Sequence, residues 1–251
     1  MIRIAAKFVE GRPEETFREG FIWIRHTLAA GTASHYYEER TFDREQMTAG
    51  SSAPDITSAA STRFDRRLSK ILDHATAIFS DKGFEGASMR DLSRACGMSL
   101  AGLYYYFESK DELLYLIQKD LFTTVMELLR ERLSGVADPE ARVRIFIHNH
   151  VEFFLSKPKA MKVLSHEDDV LRDEHGAEIA KLKRQYYHCC SDLIAALKQE
   201  KKLEFNSRAA VMSLFGMINW LHTWYNPKVD GNADVLAEEI GNVFLRGICS
   251  T

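Results

Sequence analysis

Apolar residues recur at spacings of three and four along most of the chain after residue 62, which is the pattern of amphipathic helices. The first such face ends at Gly83 and is formed by Leu68, Ile71, Leu72, Ala75, Ile78 and Phe79. No convincing alternation of apolar and polar residues, as in strands, follows it. The sequence therefore predicts an all-α fold.

Helix starts are marked by hydroxyl residues that precede a carboxylate by three positions, the capping-box arrangement. These pairs are Thr62 with Asp65, Ser88 with Asp91, and Ser109 with Glu112. Asp138 followed by Pro139 marks a further start, because Asp caps a helix and Pro is tolerated at its first position. About nine helices are predicted, at residues 63–82, 88–95, 99–107, 109–133, 139–157, 158–169, 173–202, 206–225 and 232–248.

The order of these helices predicts three regions. Residues 1–62 are expected to be an extension and flexible linker, because residues 47–62 are small and polar. Residues 63–110 contain a long helix, a short helix, a turn at Gly97 and a second short helix, which is the arrangement of a helix-turn-helix DNA-binding domain. Residues 111–251 are expected to form a larger helical domain.

The second short helix would present one face to a DNA major groove. Leu103 and Phe107 are four residues apart and are predicted to pack inward. The residues expected to face outward are Leu100, Ala101, Gly102, Tyr104 and Tyr105. The small side chains at 101 and 102 would permit close approach to DNA.

Charge is concentrated locally. The chain has 33 Lys and Arg against 36 Asp and Glu, a net charge of -3, which excludes a polybasic coating protein. The start of the first helix nevertheless carries Arg63, Arg66, Arg67 and Lys70. These four cations fit an anchor for DNA phosphates, and a solvated helix end is the alternative.

Ile71, Ala75, Phe79, Gly83, Ser88 and the stretch LSRACGMSLAGLYYYFESKDELL resemble the DNA-binding domain of TetR-family regulators over about 50 residues. The match includes the Gly-x-Ser-x-Gly-x-Leu-Tyr-x-x-Phe core and the following Lys110. The resemblance implies base contacts from Leu100, Ala101, Gly102 and Tyr105, and contacts to backbone and base edges from Ser88 and Arg90. It implies phosphate contacts from Tyr104, Tyr106 and Lys110, although His is frequent in the family at the place of Tyr106. Arg67, from the cation cluster, and Ser99, which caps the recognition helix, complete the predicted DNA-binding set.

The C-terminal half contains no motif that predicts catalysis, so the chain is not expected to be an enzyme. Its four cysteines form no CxxC pair, and the His and Cys residues at 148–150 and 188–190 are too close in sequence to share one helix face. No metal site or cofactor is predicted. Without a long apolar span or a secretion signal, the protein is expected to be cytoplasmic.

The predicted helix at residues 206–225 is apolar on more than one face, and the last helix carries an apolar stripe. The family resemblance implies that residues 111–251 bind a ligand and mediate dimerisation, and that these two helices pair with their two-fold mates. A homodimer that binds palindromic double-stranded operator DNA is therefore expected.

The segments LSHEDD and LFGMINWLHTWYNP resemble a subgroup of such regulators that control fatty-acid, steroid or aromatic-acid breakdown, many of which sense acyl-CoA thioesters. The resemblance would place Lys181, Lys183 and Arg184 at the CoA phosphates, with Tyr187, Asn219, Trp220 and Trp224 nearer the acyl group. Alternatively, the basic trio is a solvated face and the aromatic residues are core.

The function predicted from sequence is thus a sequence-specific transcriptional repressor that a small-molecule effector releases from its operator. The alternative is a helical small-molecule-binding protein that has lost operator binding. Salt-dependent and sequence-selective DNA retention distinguishes the two.

Overall fold

The computed structural model describes residues 56–166 and 170–249, and every regular element within those ranges is a helix. The all-α prediction is confirmed. In chain order the helices are α1 (Ile56–Lys82), α2 (Met89–Cys96), α3 (Leu100–Tyr104), α4 (Lys110–Leu133), α5 (Pro139–Ser156), α6 (Pro158–His166), α7 (Asp173–Glu200), α8 (Ser207–Asn219), α9 (Leu221–Trp224) and α10 (Ala233–Cys249).

Side-chain caps define most of the predicted helix starts. Ser88 and Asp91 form a complete capping box at α2. Ser99 accepts a hydrogen bond from the Gly102 amide at α3, and Ser109 accepts one from the Glu112 amide at α4. Asp138 caps α5 in the same way, with Pro139 as its first residue. Each cap satisfies a backbone amide that has no partner within its own helix.

The prediction of a helix start at Thr62 is wrong. Helix α1 begins at Ile56, so residues 56–62, which were assigned to the linker, are helical. The stretch from Ile56 to Thr62 contains no Gly or Pro, and the last helix breaker before it is Pro54. A hydroxyl three residues before a carboxylate marks a start only where the preceding chain leaves the helix. The rest of the predicted extension, residues 1–55, lies outside the described residues.

The predicted helix at residues 206–225 is two helices. Helix α8 ends at Asn219, Trp220 has φ -86° and ψ -6°, and α9 follows. The Thr223 amide and hydroxyl both donate to the Trp220 carbonyl, at 3.1 and 2.8 Å. This local bonding three residues back replaces a regular α-helical bond and explains the break. Helix α3 is likewise shorter than predicted, because the Tyr106 amide donates to the Leu103 carbonyl.

One hydrophobic cluster runs from Ile71 in α1 to Leu245 in α10. Helix α1 packs on α2, α4 and α6, while α4 also packs on α5 and α7, and α5 packs along α10. Leu103 and Phe107 are buried, as predicted for the inward face of the second short helix. Helix α4 therefore joins the helix-turn-helix region to the larger helical core. No helix in the described ranges is long and apolar enough to cross a membrane.

Candidate nucleic-acid interface and effector region

The turn between α2 and α3 is fixed by Gly97 and Ser93. Gly97 has φ 60° and ψ 37°, the left-handed conformation that glycine adopts without a steric penalty. The Met98 amide donates to the Ser93 carbonyl, and the Ser93 hydroxyl donates to the Met98 carbonyl at 2.5 Å. These bonds set the angle at which α3 leaves α2.

Helix α3 presents an exposed face that contains apolar and aromatic side chains. Tyr105 is 73% exposed, Tyr104 is 50% exposed and Leu100 is 38% exposed. Ala101 is exposed and Gly102 is half-buried. Large apolar groups are costly to leave in water, so a row of them beside small residues indicates a surface that meets a partner.

Ser88 and Arg90 lie at the start of α2, and both were predicted to contact DNA. The Ser88 hydroxyl donates to Asp91 Oδ2 at 2.7 Å and accepts from the Asp91 amide, so the capping box occupies it. Arg90 is exposed. Lys82 Nζ lies 2.9 Å from Asp91 Oδ1, and this contact, with the hydrogen bonds from Ser88, holds the pKa of Asp91 well below its usual range.

Lys110 lies at the first position of α4, and its ammonium group points into the domain. Nζ donates to the carbonyl oxygens of Phe84 at 2.7 Å and Ala87 at 3.3 Å. It also lies 4.2 Å from the centre of the Phe84 ring, a cation–π distance. Two of its three N–H donors are thus used within the chain, so Lys110 ties α4 to the loop between α1 and α2.

A groove of about 1060 Å³ lies between the start of α1 and the residues that follow α3, Tyr105 and Tyr106. Its cations are Arg63, Arg66, Arg67 and Lys70. Its aromatic wall is formed by Phe64, which stacks on Tyr106 with ring centres 4.9 Å apart and meets Tyr105 edge-on at 5.9 Å. The four cations and the exposed face of α3 therefore form one continuous surface. The half-buried Tyr106 ring packs on Phe64, a contact that the sequence did not predict.

The five predicted effector residues lie on α7, at the end of α8, at the break that follows it and at the end of α9. Tyr187 stacks on Phe215 with ring centres 6.2 Å apart. Arg184, Asn219 and Trp220 are half-buried, whereas Trp224 is 42% exposed. None of the five lines the groove at the start of α1, and none lines the smaller cavity between α1, α4 and the start of α6.

The three basic residues predicted to meet CoA phosphates differ in their exposure to solvent. Lys181 is exposed, Arg184 is half-buried and Lys183 is buried. Burial lowers the pKa of Lys183 to about 8. The three side chains therefore do not lie on one exposed surface, and a shared contact with CoA phosphates stays a prediction.

His150 is a buried polar residue that sequence reasoning missed as part of the effector region. Its Nδ1 lies 3.1 Å from the Tyr186 hydroxyl, and its ring packs against Phe154 with centres 4.5 Å apart. Burial lowers its pKa to about 3, and the Asn219 side chain partly offsets this effect. Its Nε2 makes no hydrogen bond of ordinary geometry within the described structure. Phe146 and Phe154, one turn away on either side, are the sequence signal that could have placed it in the core.

Together, the cap-fixed turn, the exposed face of α3 and the adjacent cations define a helix-turn-helix DNA-binding protein, which here continues into a larger helical core. Among the described residues, no group of three or more His, Cys, Asp or Glu side chains is placed to hold a metal ion.

Comparison with known proteins gives the family. The family model described as bacterial regulatory proteins, tetR family, matches residues 71–115, and the tetracyclin repressor-like C-terminal domain matches residues 136–248. The HTH-type transcriptional repressor KstR2 of Rhodococcus jostii is 21% identical over 189 residues, covering 73% of this chain and 92% of that protein. The chain belongs to the TetR family of transcriptional regulators.

Solved structures agree with that assignment. AibR in complex with isovaleryl coenzyme A and operator DNA has a TM-score of 0.63 and 26% identity, over 72% of this chain and 97% of that one. KstR2 of Mycobacterium tuberculosis, a ketosteroid transcriptional regulator, has a TM-score of 0.66 at 18% identity, over 72% of this chain and 94% of that one. The second likeness concerns the fold alone.

Proposed function

We propose that this chain is a dimeric transcriptional repressor that binds a palindromic operator and releases it when a small-molecule effector binds the helical core. The observation that carries the proposal is the exposed face of α3, with Tyr105 73% exposed beside a groove lined by four cations. A flanking cationic surface positions a protein on phosphates, and side chains on a short helix read base edges.

In this proposal the residues divide by role. Base edges are contacted by Leu100, Ala101, Gly102 and Tyr105, with Arg90 reaching from α2. Phosphates are held by Arg67 and Tyr104. Ser88 and Ser99 act by capping α2 and α3, which aims these helices, and Lys110 acts mainly by holding α4 against the α1–α2 loop. Tyr106 supports Phe64 and so shapes the phosphate groove.

Dimerisation is supported by exposed faces on α8 and α10. Ala209, Ser213 and Gly216 are exposed along one side of α8, and a Cβ added at Gly216 would meet open space. On α10, Val235 is 50% exposed and Val243 is 63% exposed. Small residues on one helix and apolar residues on the other suit close packing against a two-fold mate.

The dimer is tested by light scattering of the purified protein. The parent should have twice the 28.7 kDa mass of one chain. Val243→Arg should give monomers, because it places a charge in the packed face. Val229→Arg is the matched control, since Val229 is 78% exposed in the loop before α10 and should leave the dimer intact. A monomeric parent would refute this part of the proposal.

Operator binding is tested by measuring affinity for selected and random duplexes over a range of salt concentrations. Arg67→Ala should weaken binding to both duplexes and lower the slope of log affinity against log salt by about one. Tyr105→Ala should reduce affinity for the selected duplex by roughly tenfold while leaving the random duplex nearly unchanged. An absence of selective, salt-dependent retention in the parent would favour the alternative, a small-molecule-binding protein without an operator.

For the effector we propose an acyl-CoA thioester, with its acyl group near Tyr187, Asn219, Trp220 and Trp224 and its phosphates near Arg184. AibR, similar over 97% of its length, has been solved with isovaleryl coenzyme A. The buried His150 beside Asn219 adds a polar atom to an aromatic region, which suits a thioester carbonyl or a hydroxylated acyl chain. A hundredfold preference for the form that does not bind DNA corresponds to about 2.7 kcal/mol per site.

The effector class is tested by titrating CoA thioesters and the matching free acids against a fluorescent operator complex. Release by medium or long acyl-CoA or aromatic-acid CoA, with free acids inert, is expected. Trp220→Ala should raise the half-release concentration by about tenfold, while Val229→Ala, at a 78% exposed position in the loop before α10, is the control and should leave it unchanged. Release by free acids with CoA esters inert would leave the regulator assignment intact and refute the effector class.

A further inference from the structure

A second cavity lies where the DNA-binding region meets the helical core. It has a volume of about 360 Å³ and is bounded by α1, α4 and the corner between α5 and α6. We call it the junction cavity. None of the predicted DNA-binding or effector residues lines it, although Asp73 borders both this cavity and the cationic groove at the start of α1.

The interior of the junction cavity is mainly apolar. Its lining includes Leu72 and Ala77 from α1, Ile117 and Leu121 from α4, and Ala160 from α6. Ile117, Leu121 and Ala160 also belong to the hydrophobic core, which gives the cavity a rigid floor. Its volume falls in the lower part of the range of small-molecule sites and suits a body about the size of one substituted ring.

Two carboxylates stand at the rim of the junction cavity, Asp73 on α1 and Asp120 on α4. Although Asp120 is open to solvent at the mouth, its crowded surroundings raise its pKa, and the charge of Asp73 adds to that effect. Neither carboxylate makes a hydrogen bond or close ion pair within the described part of the chain. A cation between the two carboxylates would offset both the desolvation of Asp120 and its repulsion by Asp73.

The two lysines of the rim are engaged elsewhere. Lys159 Nζ lies 3.7 Å from Asp81 Oδ2, and Lys157 Nζ lies 4.8 Å from the centre of the Phe153 ring. Lys157 is the strongest charge acting on Asp120 and lowers the pKa of that carboxyl, although desolvation outweighs it. Asp73 and Asp120 are therefore the rim charges without a close contact of their own, and we expect them to select the ligand.

We infer that the junction cavity is a binding site for a small organic cation, an apolar body that carries one amine or quaternary ammonium group. The apolar part occupies the floor between α1, α4 and α6, and the cationic group lies between Asp73 and Asp120. A bound ligand contacts both the first helix of the DNA-binding region and the core, so its binding is linked to any change in their relative position. The site can thus carry a second input, separate from the effector in the core.

The test uses three probes of one shape and different charge: 4-phenylbutylamine, 4-phenylbutan-1-ol and 4-phenylbutyrate, titrated into the full-length protein by calorimetry. The amine should bind at one site per chain, and the alcohol and the acid should bind at least tenfold more weakly. The measurement needs no operator, so its outcome is independent of the proposed function. Equal affinity for the amine and the alcohol would overturn the inference, as would no binding of the amine.

Variants locate the site. Asp120→Asn and Ala77→Leu should each weaken amine binding by tenfold or more, the first by removing a charge and the second by filling the floor. Asp192→Asn, which removes an exposed carboxylate on α7, should leave binding unchanged. If Asp120→Asn lowers the folded fraction, Asp73→Asn replaces it. Unchanged amine binding in a folded rim variant and in Ala77→Leu would place the amine elsewhere and refute the assignment.

Discussion

At the scale of a single residue, Lys110 holds the start of α4 against the loop between α1 and α2. Its ammonium group is held by two carbonyls and a ring, so Lys110→Ala should lower the free energy of unfolding by about 1–2 kcal/mol. Tyr105→Ala, at a 73% exposed position, should change it by less than about 0.5 kcal/mol. Urea denaturation measures both. If Lys110→Ala left stability unchanged and only weakened DNA binding, the phosphate contact predicted from sequence would be the better account.

Asp91 gives the start of α2 a defined pH dependence. Its pKa is held down in the folded protein by Lys82 and Ser88, below an unfolded value of about 3.9. Its contribution to stability is therefore fully present above about pH 5 and is lost as the pH falls below about 4. Asp91→Asn should be less stable than the parent at neutral pH, and the difference should shrink on acidification.

Thermal melts at several pH values measure this difference. Glu85→Gln, which removes an exposed carboxylate from the loop between α1 and α2, is the control and should show no such convergence. A difference between Asp91→Asn and the parent that stayed constant from pH 7 to pH 3 would contradict the assigned role of the Asp91 charge.

At the scale of the element, the turn and the recognition helix respond differently to the same substitution. Gly97→Ala should lower stability by about 1 kcal/mol, because φ is 60° and the added Cβ meets nothing within 4 Å, so backbone strain alone acts. Gly102→Ala gains helix propensity, while its Cβ would lie 3.3 Å from Ser99 Oγ. Its stability should therefore stay within about 1 kcal/mol of the parent.

Both glycine variants should bind the operator more weakly than the parent, but only Gly97→Ala should lose stability at the same time. Gly97→Ala should weaken the operator complex by tilting α3, and Gly102→Ala should weaken it by holding the helix away from the bases. Denaturation and duplex titration on the same samples measure both quantities. Full operator affinity in Gly102→Ala would show that α3 does not approach DNA along that face.

The sequence correctly predicted those helix boundaries that depend on residues only a few positions away. The caps at Ser88, Ser99 and Ser109 and the turn at Gly97 depend on residues within a few positions, so they could be predicted from sequence. The start at Thr62 could not, because it depended on whether the preceding residues leave the helix. Helical periodicity does not specify contacts between distant segments. It therefore could not predict where the Lys110 ammonium, the Lys183 side chain and the Tyr106 ring lie in the structure.

At the scale of the whole molecule, the hydrophobic core has no boundary between the DNA-binding region and the rest. Leu113 and Leu114 at the start of α4 are fully buried in the same cluster as Phe79 and Phe107. Full-length protein should therefore unfold in one cooperative transition. A fragment of residues 56–109, which lacks α4, should be unfolded by circular dichroism, whereas residues 56–133 should retain substantial helix. A stable fold in the shorter fragment would contradict this.

The shared core also limits where this chain can be joined to a relative to make a hybrid protein. The sequence predicts a domain boundary at residue 110. A hybrid that joins the DNA-binding region of this chain to the helical core of a relative should not be joined there, because Lys110, Leu113 and Leu114 pack with the DNA-binding region. The exchange point belongs further along α4, with the buried partners of both halves taken from the same parent. Hybrids cut at residue 110 should express poorly. Under the function proposed above, hybrids cut after the second turn of α4 should bind the DNA sequence of one parent and respond to the effector of the other.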